Sequence, residues 1–485
     1  MVFSSHLFVF YFLPLALVVY YLLPRRTRNL GLTVLSYGFY GWANPAFMVL
    51  MLFSTVVDYF CGLAIAGRLG RRWREPIAEL RVGGGRTSHQ RIAVAISVTT
   101  NLSLLGFFKY FNFTVDSFNS LFGGLGLSDL QLDSVLRVAL PLGISFYTFQ
   151  SMSYTIDVYR GQATALRSFV DFACYVSLFP QLVAGPILRF AEIEDQLRLR
   201  RETVEKFARG VAFFSLGLAK KVLLANPCGK VADTVFDAGS VLPVDAWYGA
   251  LAYSFQIYFD FSGYTDMAIG LGLMLGFVLP KNFDSPYKAD SITDFWRRWH
   301  MSLSNWLRDY LYIPLGGNQK GPRRTYINLM LVMLLGGLWH GAAWNFVLWG
   351  GFHGVLLALE RARGKRSLFD PLPRAFRVAG TFLLVLLSWV IFRSENLSNA
   401  GDLLASMIGL GSRSDGSLLL EGIIAQPYYL WSVAVAAVVV WRAPQSWDWT
   451  RSLPWWRALI CVGLLWASLV ALTTQSFNPF IYFIF

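Results

Sequence analysis

The stretch LLGGLWHGAAWNFVLWGGFHG, residues 334–354, carries two of the chain's five histidines, His340 and His353, in an apolar, glycine-studded run. It lies within Tyr326–Glu360, an apolar segment flanked by Lys320, Arg323 and Arg324 on one side and by Arg361, Arg363, Lys365 and Arg366 on the other. Basic flanks mark cytoplasmic ends, so both ends of the segment should face the cytosol. Two full crossings need roughly 40 residues plus a turn, and only 35 are present. The chain is expected to reverse within the membrane, with Gly336, Gly337 and Gly341 permitting close packing and a broken helix around His340.

Outside this segment the chain reads the same way. Of its 485 residues 55% are hydrophobic, 16% aromatic and only 15% charged, a balance that excludes an ordinary soluble protein. Apolar runs recur along the whole length, which predicts an all-α polytopic membrane protein with one membrane domain over 1–485. Crossings are expected near 7–24, 30–43, 46–66, 92–109, 136–157, 209–226, 246–278, 374–393, 423–441 and 458–474. The segment near 168–186 has basic sequence on both flanks, and is either re-entrant or spanning. The first run lacks a preceding basic residue and a following cleavage site, so it reads as a retained helix.

Charge sets the orientation. No Lys or Arg precedes the first run, whereas Arg25, Arg26 and Arg28 follow it, placing the N-terminus outside the cytosol. The Arg68–Arg91 loop fits the cytosol, Phe111–Leu136 fits the outside, and the tail TTQSFNPFIYFIF returns outside. The net charge of +13 follows from this topology, and no nucleic-acid partner is implied; membrane lipids are the expected surroundings. Cys61, Cys174, Cys228 and Cys461 are isolated and suggest packing, not metal or disulfides. No internal repeat supports a transporter.

The segment DFWRRWHMSLSNWLRDYLYIPLGG, 294–317, reads as an amphipathic interfacial helix. On a helical wheel Phe295, Trp296, Trp299, Leu303, Trp306, Leu307, Tyr310 and Leu311 form one half. Arg297, Arg298, Ser302, Ser304, Asn305, Arg308 and Asp309 form the other. His300 falls at the edge of the apolar half, and buried imidazole requires partners.

An ionisable group near the middle of an apolar run is costly and marks a functional candidate, so His340 is the leading one. His353 lies nearer the cytoplasmic end, where packing and function are both open. A metal pair is disfavoured: thirteen residues put the two histidines about 140° apart on a helix, with no acidic or cysteine ligand between them. Asp260 and Asp266 are read chiefly as helix–helix hydrogen-bonding groups, and Lys220 and Lys221 as snorkelling side chains.

Taken together, FWRRWHMSLSNWLRDYLYIPLGG and LLGGLWHGAAWNFVLWGGFHG resemble the membrane-bound O-acyltransferase superfamily, in its bacterial alginate O-acetyltransferase branch. PLGISFYTFQSMSYTIDVYRG (141–161), FPQLVAGPILRF (179–190), YFDFSGYTDMAIGLGL (258–273), SWVIFRSENL (388–397) and the terminal QSFNPFIYF extend the likeness along almost the entire chain. The resemblance implies roughly 11 or more transmembrane or re-entrant helices around a catalytic funnel. It makes His340 the catalytic histidine and His300 the second active-site histidine, with His353, Asp260, Asp266, Trp339 and Asn305 as supporting candidates. It implies acetyl transfer from acetyl-CoA, with no tightly bound cofactor, to periplasmic polysaccharide-acetylation proteins at a bacterial inner membrane, with both termini periplasmic. Alginate is the expected polymer; acetylated cellulose or peptidoglycan, and a transporter or flippase, are the alternatives.

Overall fold

The computed structural model describes residues 2–42, 44–68, 77, 79–132, 136–238, 241–411, 417–475 and 477–479. These residues are helical with no strand among them. Four helices are long and apolar enough to cross a membrane: Pro45–Ile65, Ser88–Gly124, Arg374–Arg393 and Trp455–Thr474. The end of the C-terminal tail and most of the first half of the Arg68–Arg91 loop lie outside the described residues.

The helices fall into two compact units. The first holds His6–Thr203 and Leu275–Phe277. Its charged edge is a knot of side chains: Arg28 pairs with Glu202 at 2.8 Å, and the Tyr20 hydroxyl lies 2.7 Å from the same carboxylate while accepting from Arg200 Nε at 2.8 Å. Arg28 is therefore committed to a carboxylate as well as to topology. Two boundaries differ from expectation. The crossing near 92–109 continues to Gly124, because Phe113, Val115, Phe118, Leu121 and Phe122 extend the apolar run and Asp116 is neutralised by Arg137 at 2.7 Å. The crossing near 136–157 starts late, at Ile144, after Gly143 takes φ 73° and Pro141 precedes it. The 168–186 segment is a Phe169–Ser177 helix, a break at Leu178 and a turn of helix at Phe179–Leu182, buried throughout its second half.

The second unit holds Val204–Met274 and Val278–Phe485, with Val2–Ser5. Its spine is the Val204–Ala219 helix against the 32-residue Pro243–Met274 helix. A Cβ on Gly217 would sit 2.5 Å from the Gly263 carbonyl oxygen, so glycine lets the two backbones touch. Just beyond that contact, Lys220 Nζ meets Asp266 at 2.6 Å and Lys221 Nζ meets Asp260 at 2.9 Å. The lysines do not snorkel. Lys221 is buried and Lys220 half-buried on this helix pair, and each is paired with an aspartate, since a lone charge there would be far costlier than a paired one.

Candidate active site

The Gly321–His340 helix and the Trp344–Ala362 helix form a hairpin broken at Gly341–Ala343. Its arms touch at Gly337, where a Cβ would lie 2.2 Å from the Phe346 carbonyl oxygen, and at Gly350, where it would lie 2.4 Å from that of Met333. His340 is the last residue of the first arm. Sixteen residues separate it from Arg324, about 24 Å along a helix axis, so it sits at the hairpin's tip.

The 294–317 segment differs from the single amphipathic helix expected. It breaks into Ile292–Arg298 and Met301–Leu307, followed by a wider turn at Arg308–Tyr312. The break is at His300, whose φ of 44° lies in the left-handed region. That conformation costs roughly 1–2 kcal/mol for a residue with a Cβ, and one residue, Asn282, holds it. The Asn282 backbone carbonyl accepts from Met301 N at 2.9 Å. Its side-chain Oδ1 accepts from Ser302 N at 3.1 Å and Ser302 Oγ at 2.9 Å, and lies 3.2 Å from His300 Nδ1. Ser302, assigned to the polar half by the wheel, is consequently buried.

The kink aims His300 at the hairpin's tip. Its ring centroid lies 6.3 Å from that of His340, with Trp339 touching both at 5.9 and 5.1 Å. Phe261 meets His300 edge-on at 4.7 Å, while Trp349 and Phe392 wall His340 at 5.3 and 5.4 Å. His300 is 0% exposed and His340 8%. Among the described residues nothing hydrogen-bonds His300 Nε2. Two imidazoles forty residues apart thus share one aromatic pocket, an arrangement able to move protons away from bulk water.

His353 also packs on Trp349, whose ring lies 5.0 Å away, but its hydrogen-bond partners are its own. Trp296 Nε1 lies 3.3 Å from its Nδ1, and Ser388 Oγ lies 3.0 Å from its Nε2. An indole nitrogen only donates, so Nδ1 accepts. Ser388 spends its hydroxyl hydrogen on the Val385 carbonyl at 2.6 Å, so His353 donates from Nε2. Both nitrogens are occupied. Asp260, although next to Phe261 in sequence, is bound to Lys221, and Asp266 to Lys220 and Ser446. Asn305 is half-buried on the Met301–Leu307 helix with no described contact to either histidine.

Two residues of this site have roles that the sequence did not reveal. Asn282 sits in the polar stretch PKNFDSPYK, eighteen residues from its partner. Glu360 was visible as the acidic end of the apolar run, but its target was not. Its carboxylate accepts from Ile292 N at 2.7 Å, Thr293 N at 2.9 Å and Thr293 Oγ1 at 2.6 Å, capping the helix that leads to His300.

The family model for MBOAT, the membrane-bound O-acyltransferase family, matches residues 160–392, which include all of these site residues. The chain is 44% identical, over the full length of both, to "Probable alginate O-acetylase AlgI" of Pseudomonas putida. It belongs to the membrane-bound O-acyltransferase family. The protein of the same printed name from Pseudomonas aeruginosa is 48% identical over 85% of this chain and 76% of its own length. The "Peptidoglycan O-acetyltransferase" of Helicobacter pylori is 38% identical over 85% of this chain and 81% of its own. This acyltransferase is therefore a multi-pass membrane enzyme that moves acyl groups to oxygen. His300 and His340 are the imidazoles that its fold brings together.

Proposed function

We propose that the enzyme passes acetyl groups from a cytosolic thioester, acetyl-CoA, across a bacterial inner membrane for periplasmic O-acetylation of alginate. The convergence of His300 and His340 in one buried pocket carries the proposal. Alginate is favoured among the related polymers because the Pseudomonas putida relative named for it matches the whole chain at 44% identity and the Pseudomonas aeruginosa one 85% of it at 48%, whereas the peptidoglycan enzyme matches 85% of it at 38%. Roughly 11 or more spanning or re-entrant helices around a funnel, both termini in the periplasm and a 326–360 hairpin entering from the cytosol complete the picture. Periplasmic acetylation proteins receive the group.

In this reaction neutral His340 takes the proton of the acceptor hydroxyl as its oxygen attacks the thioester carbonyl. A C–O bond forms, the tetrahedral intermediate collapses, the C–S bond breaks, and the leaving thiolate recovers the proton from the His340 imidazolium. His300 either orients the acceptor or steadies the developing negative charge by a hydrogen bond. The direct test expresses wild type, His340→Ala and His300→Ala in a strain lacking its own copy, and compares polymer-bound acetate at matched membrane levels of protein. Loss of acetate in both variants is expected. Undiminished acetate in a well-expressed His340→Ala strain would sink the catalytic assignment.

A further inference from the structure

We infer that Asn282 is a positioning residue that locks His300 in the tautomer protonated on Nδ1, so that Nε2 meets the substrate as a hydrogen acceptor. The inference rests on the catalytic reading of His300 above. Its first step is the orientation of the Asn282 amide. The Asn282 atom 3.1 Å from Ser302 N faces a backbone N–H, and a backbone N–H can only donate. That atom is therefore the oxygen, because an amide NH₂ there would set hydrogen against hydrogen.

The same oxygen lies 3.2 Å from His300 Nδ1. A carbonyl oxygen has no hydrogen to give, so the bond forms only if Nδ1 carries one. In a neutral imidazole the other nitrogen is then a bare lone pair. That nitrogen, Nε2, is the one with no hydrogen-bond partner among the described residues. Neutral His300 can receive a substrate hydrogen but cannot donate one to a developing oxyanion. Of its two proposed roles, orienting the acceptor remains.

His353 supplies an internal contrast. It is equally buried, yet Trp296 and Ser388 fix its proton on Nε2, the opposite tautomer. Two buried histidines in one protein should therefore give opposite nitrogen signatures.

The experiment uses the full chain, labelled with [¹⁵N]histidine and reconstituted in bilayers, with solid-state ¹⁵N spectra assigned by subtracting His300→Ala and His353→Ala. Expected are an Nδ1-protonated His300 and an Nε2-protonated His353. In Asn282→Asp, which keeps an acceptor oxygen, His300 should keep its tautomer and the rate of acetyl-CoA-dependent polymer acetylation should stay within about 10-fold of wild type. In Asn282→Ala the tautomer should be released and the rate at saturating acetyl-CoA should fall about 100-fold, with KM for acetyl-CoA unchanged. An Nε2-protonated His300 in the wild type overturns the inference, and needs no Asn282 variant to fold. Full activity in Asn282→Ala alongside a dead His300→Ala overturns it while sparing the catalytic reading; full activity in His300→Ala overturns both.

Discussion

His353 and His340 both pack against the Trp349 indole, at 5.0 and 5.3 Å, and all three buried imidazoles, His300 included, are walled by aromatic rings. What separates them is hydrogen-bonding capacity. His353 spends one nitrogen on Trp296 and the other on Ser388, and holds three helical segments together. His300 spends one nitrogen on Asn282, and its other nitrogen has no hydrogen-bond partner among the described residues, in a ring 6.3 Å from that of His340. Burial of a histidine is therefore a poor marker of function by itself; a nitrogen left over after the structure has been satisfied is the better one.

The largest test of that contrast exchanges the side chains on its two sides. His340→Gln should lower acetyl transfer per folded molecule by about 10²–10⁴-fold, the usual range for losing an acid–base group, with little loss of thermal stability. His353→Leu should do the reverse, costing about 1–3 kcal/mol by orphaning the Trp296 donor while folded molecules keep most of their activity. Thermal unfolding in detergent, read beside polymer-bound acetate per folded molecule, checks both. Equal activity losses in the two variants would abolish the distinction.

A purely structural pair should respond as His353 does, only in stability. Lys221→Met leaves Asp260 buried without its cation, at a cost of about 3–5 kcal/mol, and should be seen as a lower melting temperature or less protein in the membrane. Restoring charge balance with Lys221→Met/Asp260→Asn should recover much of that loss. If the double variant were no better than the single one, pairing would not be what holds these two residues.

His340 was legible from physical chemistry, since an ionisable residue in a segment too short for two crossings leaves few explanations. Flanking charge and length set His353 apart, nearer the cytoplasmic end, whereas the angle of about 140° used against a metal pair assumed a continuous helix that the break at Gly341–Ala343 replaces. His300 was legible as a histidine at the edge of the apolar half, but the expected helix ran continuously through it. Helical periodicity says nothing about the left-handed turn, because the force that bends the chain there comes from Asn282 in another segment. Wheel geometry misplaced Ser302 for the same reason. The lysines and aspartates were each noticed and were each read alone, because forty residues of sequence separate partners that a glycine contact brings together.

The smallest effect on activity concerns Glu360. Glu360→Gln removes the negative charge from the N-terminus of the Ile292–Arg298 helix and turns an NH₂ toward the N–H of Ile292 or Thr293, which should cost about 1–3 kcal/mol of stability and weaken activity far less than His340→Gln. Hydrogen exchange at the amides of Ile292 and Thr293 would report it, and unchanged protection there would show that the charge contributes nothing.

That cap also has a mechanical consequence. Glu360 ties the far end of the hairpin's second arm to the start of the segment carrying His300, while Trp296 ties the same segment to His353 midway along that arm. With two rivets the His300 segment and the Trp344–Ala362 helix behave as one stiff plate. The first arm is packed onto that plate in turn, through the backbone contacts at Gly337 and Gly350, with His340 at its end. Two hydrogen-bonded ties and two glycine contacts thus set the gap between the two imidazoles, and a bulkier residue at either glycine would shift His340 relative to His300.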